Sequence, residues 1–127
     1  MFSHVMLGAN DVPAAKAFYD AALGALGVPA GVTDEWGRVV YMTDTGRFLL
    51  TRPINQLPAT GANGGTIGFL AKSTAEVDAW HAAGLANGGS DIESPPGERQ
   101  VTGGRVLYLA YLRDPSGNKL CATYRVA

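Results

Sequence analysis

One order of elements occurs twice along this chain, and that repetition limits the fold more than any single motif. "FSHVMLGA" (2–9) reads as a strand, Asp11 offers a helix N-cap, and Pro13 suits the first helical turn. Ala15, Phe18, Ala22 and Leu26 then recur at helical spacing, with Tyr19 and Leu23 widening the apolar stripe. Gly27 and Pro29 close that helix. Three short strands are expected at about 30–35, 37–43 and 46–52, the last two joined by a "DTG" turn. After the Pro/Gly/Asn-rich segment "PINQLPATGANGG" (53–65) the pattern restarts. "GGTIGFLA" (64–71) reads as a strand and "STAE" (73–76) as a capping box. Val77, Trp80, His81, Gly84 and Leu85 form a helical stripe, and Gly88-Gly89 supplies a left-handed stop. Strands are expected at about 90–94, 105–113 and 117–125.

A unit of strand, helix and three strands is too small to bury its own sheet face, so the two copies must pack on one core. Short turns make the pairing mostly antiparallel. The expected class is α+β: a single domain over 1–127, made of two βαβββ modules at about 1–53 and 64–127 with a linker at 54–63.

Composition excludes several functions. A net charge of −1 gives no basic surface for nucleic acid or an acidic membrane. No apolar run approaches the roughly 18 residues of a membrane span. "MFSHVMLGANDV" has neither the basic nor the apolar region of a signal peptide. The single cysteine, Cys121, cannot form an internal disulfide, and a cytoplasmic location is expected.

Three stretches carry a family likeness: "HVMLGANDVPAAKAFYDAALGALG", "STAEVDAWHAAGLANGG" and "YLAYLRDPSGNKL". They resemble the vicinal oxygen chelate superfamily, which includes glyoxalase I, the bleomycin-resistance proteins and the extradiol dioxygenases. The likeness covers essentially the whole chain, and the "FYD–LG–LG" and "DP–GNK" motifs are specific to the superfamily but do not separate activities within it. It implies a cupped, mostly antiparallel eight-stranded sheet with two flanking helices, usually in a homodimer.

In metal-dependent relatives each module places a His on its first strand and a carboxylate on its last, and a divalent ion held by these groups stabilises an oxyanion. Carried over position by position, the resemblance puts the first histidine at His4 and the second at Thr66. The last-strand glutamate falls at Cys121, and the first-module carboxylate at Leu49 or Thr51. Only His4 keeps its type. His4 and Cys121 are therefore the candidate catalytic pair, and the candidate metal ligands if a metal binds. No cofactor is the first expectation, with a divalent ion (Zn, Ni, Mn or Fe) left as an incomplete alternative.

Each residue also has a plainer reading. His4 is either a ligand or base, or an interior strand side chain. Cys121 is either a small buried filler or a thiol paired with His4. Arg47 should share a face with Leu49 and Thr51, and Lys119 with Cys121, since strand side chains alternate. With Thr66 and Tyr108 these residues are the expected lining of the cup, and Arg38, Arg52, Arg99 and Arg105 are expected near its mouth. Such a cup suits a small organic ligand, anionic or polar at the cationic edge, or aromatic against the ring of Tyr41, Tyr108, Tyr111 or Trp36.

Two functions follow as expectations. In the first, the protein binds a small molecule without metal catalysis. In the second, it is a lyase, isomerase or dioxygenase-type enzyme with His4 as ligand or general base. A homodimer is expected in either case, with neither nucleic acid nor membrane as partner.

Overall fold

A computed structural model describes all residues from 1 to 127. The duplication is realised as two modules. The first runs β1 (His4–Gly8), α1 (Val12–Gly24), β2 (Val32–Thr33), β3 (Val39–Thr43) and β4 (Gly46–Thr51). The second runs β5 (Ile67–Leu70), α2 (Thr74–Ala86), β6 (Ser90–Asp91), β7 (Gly97–Val101), β8 (Arg105–Arg113) and β9 (Lys119–Arg125). The first sheet has the order β1-β4-β3-β2. The second has β5-β9-β8, with β6 and β7 both on the far edge of β8. In each module the first strand pairs parallel with the last, and all other pairs are antiparallel.

The caps expected from sequence form. Asp11 Oδ1 accepts from the Ala14 N–H at 3.0 Å, and Ser73 Oγ accepts from the Glu76 N–H at 3.1 Å. The reciprocal arm of the second box lands one residue early, with Glu76 Oε1 accepting from the Lys72 N–H at 2.9 Å. Gly27 and Gly88 stop the helices with φ of 83° and 95°.

A ninth strand, β7, lies outside the expected set. Ser90 and Asp91 pair with Arg113 and Leu112, and Gly97 resumes pairing at Leu109. Five residues of the edge thus span only two of β8, and the excess leaves the sheet as a loop holding Pro95 and Pro96. Together β6 and β7 occupy one strand position, so the βαβββ order is kept. The proline pair and the polar "GERQ" run mask the strand in the sequence. The other expected strands form, with 30–35 and 90–94 each shortened to two residues.

Both sheets turn their apolar faces to one core. Val39, Tyr41, Phe48 and Leu50 from the first and Ala110, Leu112, Leu120 and Ala122 from the second are buried with Phe18, Tyr19, Val77 and Trp80 of the helices. Phe48 and Phe69 meet edge to face across the junction, 5.4 Å between ring centroids. Gly84 marks the closest approach of α2 to β8, because a Cβ there would collide with Leu112 and press on Phe18.

The buried tyrosines give the fold a measurable pH dependence. Burial, reinforced by Asp114, pushes the Tyr19 hydroxyl well above its ordinary pKa, and burial with a hydrogen bond to Asp20 does the same for Tyr41. The unfolded chain releases both protons near pH ~10 while the folded chain keeps them, so the folded state binds more protons and stability falls as pH rises through that value. The expected slope is about 1.4 kcal/mol per pH unit for each tyrosine, present above pH ~10 and absent at neutral pH. Urea unfolding midpoints across this range check it. Tyr41→Phe should remove the Tyr41 share, about 1.4 kcal/mol per pH unit.

Candidate functional site

Because the helices cover one face of each sheet, side chains of opposite parity are left on helix-free faces. On the first sheet these are His4, Met6, Arg47, Leu49 and Thr51, aligned by the register His4↔Arg47, Met6↔Leu49 and Gly8↔Thr51. Val40 and Met42 pair with Leu49 and Arg47 and extend the same face. This face is apolar at its centre and cationic at the end carrying His4 and Arg47. His4 is exposed, and its Nδ1 lies 2.7 Å from the Ser3 hydroxyl.

On the second sheet, Lys119, Cys121 and Thr123 of β9 lie beside Arg113, Tyr111 and Leu109 of β8. Gly68 pairs with Cys121 on the other side, and Thr66, two residues earlier on the same face, is exposed. The Cys121 thiol is 6% exposed, with Sγ 3.3 Å from Thr123 Oγ1. Burial pushes this thiol above its ordinary pKa, and hydrogen bonds from Thr123 and Tyr111 only partly offset that. It is a neutral thiol at pH 7, not an activated nucleophile. The Lys119 ammonium stands 5.1 Å from the centre of the Tyr111 ring and forms an ion pair with Glu93.

Glu93 is the residue that sequence reasoning missed. It sits in the loop between β6 and β7 with φ of 61°, and only the paired strands around it bring its carboxylate to Lys119. Tyr108 goes the other way. Its hydroxyl donates to Asp78 of α2 at 2.8 Å, so it belongs to the helix-covered face, and Tyr111 supplies the ring expected of it. Arg99 shares the free face through its pairing with Leu107, Arg105 lies at the far end of β8, and Arg125 pairs with Leu107 from β9. Arg38, by contrast, is engaged with Asp34 in the β2–β3 turn.

His4 and Cys121 thus lie on different sheets, and no hydrogen-bonded ladder joins those sheets. No three His, Cys, Asp or Glu side chains gather into a metal-binding group within the chain. The donor chemistry at the carried-over positions is one imidazole, one hydroxyl, one buried neutral thiol, and leucine or threonine. On the second sheet the nearest carboxylate, Glu93, is already held by Lys119. This set does not fit a divalent ion, which needs several anionic or imidazole donors oriented by a second layer of hydrogen bonds.

Two βαβββ modules on one core, each with a helix-free sheet face, define a paired-module scaffold of the glyoxalase type. The chain belongs to the Glyoxalase/Bleomycin resistance protein/Dioxygenase superfamily, whose family model matches residues 1–122. It is similar to the crystal structure of a glyoxalase/bleomycin resistance protein from Albidiferax ferrireducens T118, with 55% identity, 98% of this chain and 99% of that one covered, and a TM-score of 0.94. A lactoylglutathione lyase from Agrobacterium tumefaciens is 28% identical over 98% of this chain and 92% of that one, with a TM-score of 0.64. A glyoxalase-related enzyme from Fulvimarina pelagi shares the fold at 17% identity and a TM-score of 0.72, over 98% of this chain and 87% of that one. No curated protein matches the chain. No helix is long and apolar enough to cross a membrane.

Proposed function

We propose that this protein binds a small anionic, ring-bearing molecule in a cup completed by a second copy, without metal chemistry. The observation that carries the reading is the free face of the second sheet. Arg99, Arg105, Arg113, Lys119 and Arg125 share it with the single acid Glu93, around a centre of Tyr111, Leu109 and the neutral Cys121 thiol. Cations at both ends of an aromatic and apolar floor suit a flat ligand with carboxylates at its ends.

The second copy is argued from the first sheet. Met6, Val32 and Met42 are 40%, 66% and 55% exposed on its free face, and Leu49 lies between them. Both free faces look away from the common core, so apposing the first sheet of one protomer with the second sheet of its partner covers this apolar surface. It also brings His4 and Arg47 of one chain toward Lys119 and Tyr111 of the other.

Naphthalene-2,6-dicarboxylate tests the reading. It is expected to raise the melting temperature in a saturable way at concentrations where light scattering gives a dimer mass. Lys119→Gln should weaken its binding about tenfold, the usual worth of one charge-assisted hydrogen bond. Equal stabilisation by the uncharged diamide, or a monomer mass, would overturn the proposal.

A further inference from the structure

Where the start of β1 approaches β5, the two modules leave a cavity of about 210 Å³. Val28, Phe48, Ile67 and Phe69 form its inner wall and pack on the shared core, while His4 and Arg47, from the helix-free face of the first sheet, stand at its mouth. Phe48 and Phe69 meet edge to face, which leaves a ring-shaped apolar wall. The cavity is therefore a gap in the packing between the modules that opens beside the His4 and Arg47 end of the first sheet's free face.

Its size and chemistry select a ligand. A dry apolar cavity of about 150 Å³ accepts benzene. One of 210 Å³ therefore has room for a single ring with a short substituent. The lining includes the Arg47 guanidinium and the His4 imidazole, and no carboxylate. Arg47 is in no ion pair within the chain. Apolar walls with an unpaired guanidinium at the entrance favour an anion whose body is apolar.

We infer that this seam is a second binding site, one for a small monocyclic aromatic carboxylate, with the ring against Phe48 and Phe69 and the carboxylate at Arg47. Its ring wall of Phe48 and Phe69 lies outside the cup and only the Arg47 end is common to both, so this site stands even if no ligand binds in the cup.

Phenylacetate is the probe, followed by amide chemical shifts on isotope-labelled protein. Saturable shifts are expected at Phe48, Ile67, Gly68 and Phe69. Benzyl alcohol, which keeps the ring and loses the charge, should bind at least about tenfold more weakly, and Arg47→Gln should weaken phenylacetate by a similar factor. Ile67→Trp, which fills the cavity, should abolish binding; should that variant not fold, Arg47→Gln decides together with the place of the shifts, at Phe48 and Phe69 or at Tyr111 and Cys121. Lys119→Gln should leave phenylacetate binding unchanged, which separates this site from the cup. The absence of saturable shifts, shifts centred on Tyr111 and Cys121, or equal affinity for benzyl alcohol would each overturn the assignment.

Discussion

Replacing Asp114 by alanine is expected to destabilise the fold by about 3–5 kcal/mol, the range for breaking a buried charged network from one side. Asp114 is 4% exposed, and its carboxylate accepts four hydrogen bonds. Oδ2 accepts from the Tyr19 hydroxyl at 2.6 Å and Asn118 Nδ2 at 2.8 Å, while Oδ1 accepts from the backbone N–H of Ser116 and of Asn118, both at 2.9 Å. Asn118 Nδ2 also donates to the Gly8 carbonyl at 2.9 Å. Asp114, directly and through Asn118, thus ties the first helix, the end of β1 and the β8–β9 turn, which belong to both modules. Alanine strands the Tyr19 hydroxyl, 0% exposed, with its acceptor gone. Tyr19→Phe removes only one donor from a carboxylate that keeps three others, so its cost should stay near 1–2 kcal/mol by the same reasoning (about the net worth of one hydrogen bond to a charged group). Urea unfolding measures both. The double variant should cost less than the sum of the singles, because the two lose the same bond. A loss below about 1 kcal/mol for Asp114→Ala would mean that the modules are held together by apolar packing alone.

That network shows which parts of the sequence could be read and which could not. The "DPSGNK" stretch is legible as a turn because Asp, Pro, Gly and Asn each favour one. Its second role, reaching across to Tyr19 and Gly8, depends on a contact 95 or more residues away and leaves no local trace. The helices, their caps and the module order were legible for the same local reasons. The shared faces of Arg47 with Leu49 and of Lys119 with Cys121 followed from strand alternation alone. Alternation fixes which side chains share a face but not which face the helices cover, and that is why Tyr108 and Tyr111 were both candidates for the cup although only Tyr111 lies on the helix-free face. Glu93 was invisible because a loop residue has no periodicity to place it. Its partner is set by how much chain leaves the edge between β6 and β7.

The chemistry missing from the cup can be restored by substitution, and this carries the second large expected effect. Thr66 and Cys121 occupy one face of adjacent paired strands, Thr66 two residues before the Gly68 that pairs with Cys121. Thr66→His with Cys121→Glu would place an imidazole and a carboxylate there, and His4 of the apposed chain would supply a third donor, enough for a site with an open position. After incubation with zinc or nickel and desalting, the unmodified protein is expected to keep less than about a tenth of an equivalent, because one imidazole and one neutral thiol do not retain a divalent ion. The double variant should keep about one per cup, and adding His4→Ala should return it to the level of the unmodified protein. The competing group is Lys119, which shares the face of Cys121 and would pair with a glutamate placed there. A third change, Lys119→Gln, should therefore tighten metal binding in the double variant while weakening dicarboxylate binding in the unmodified protein. Opposite responses to one substitution would separate the proposed anion binding of the unmodified cup from the metal binding of the double variant. Metal uptake by the double variant that is indifferent to His4 would mean that the two sheets do not meet across a dimer, and the cup would then have to be sought on the second sheet alone.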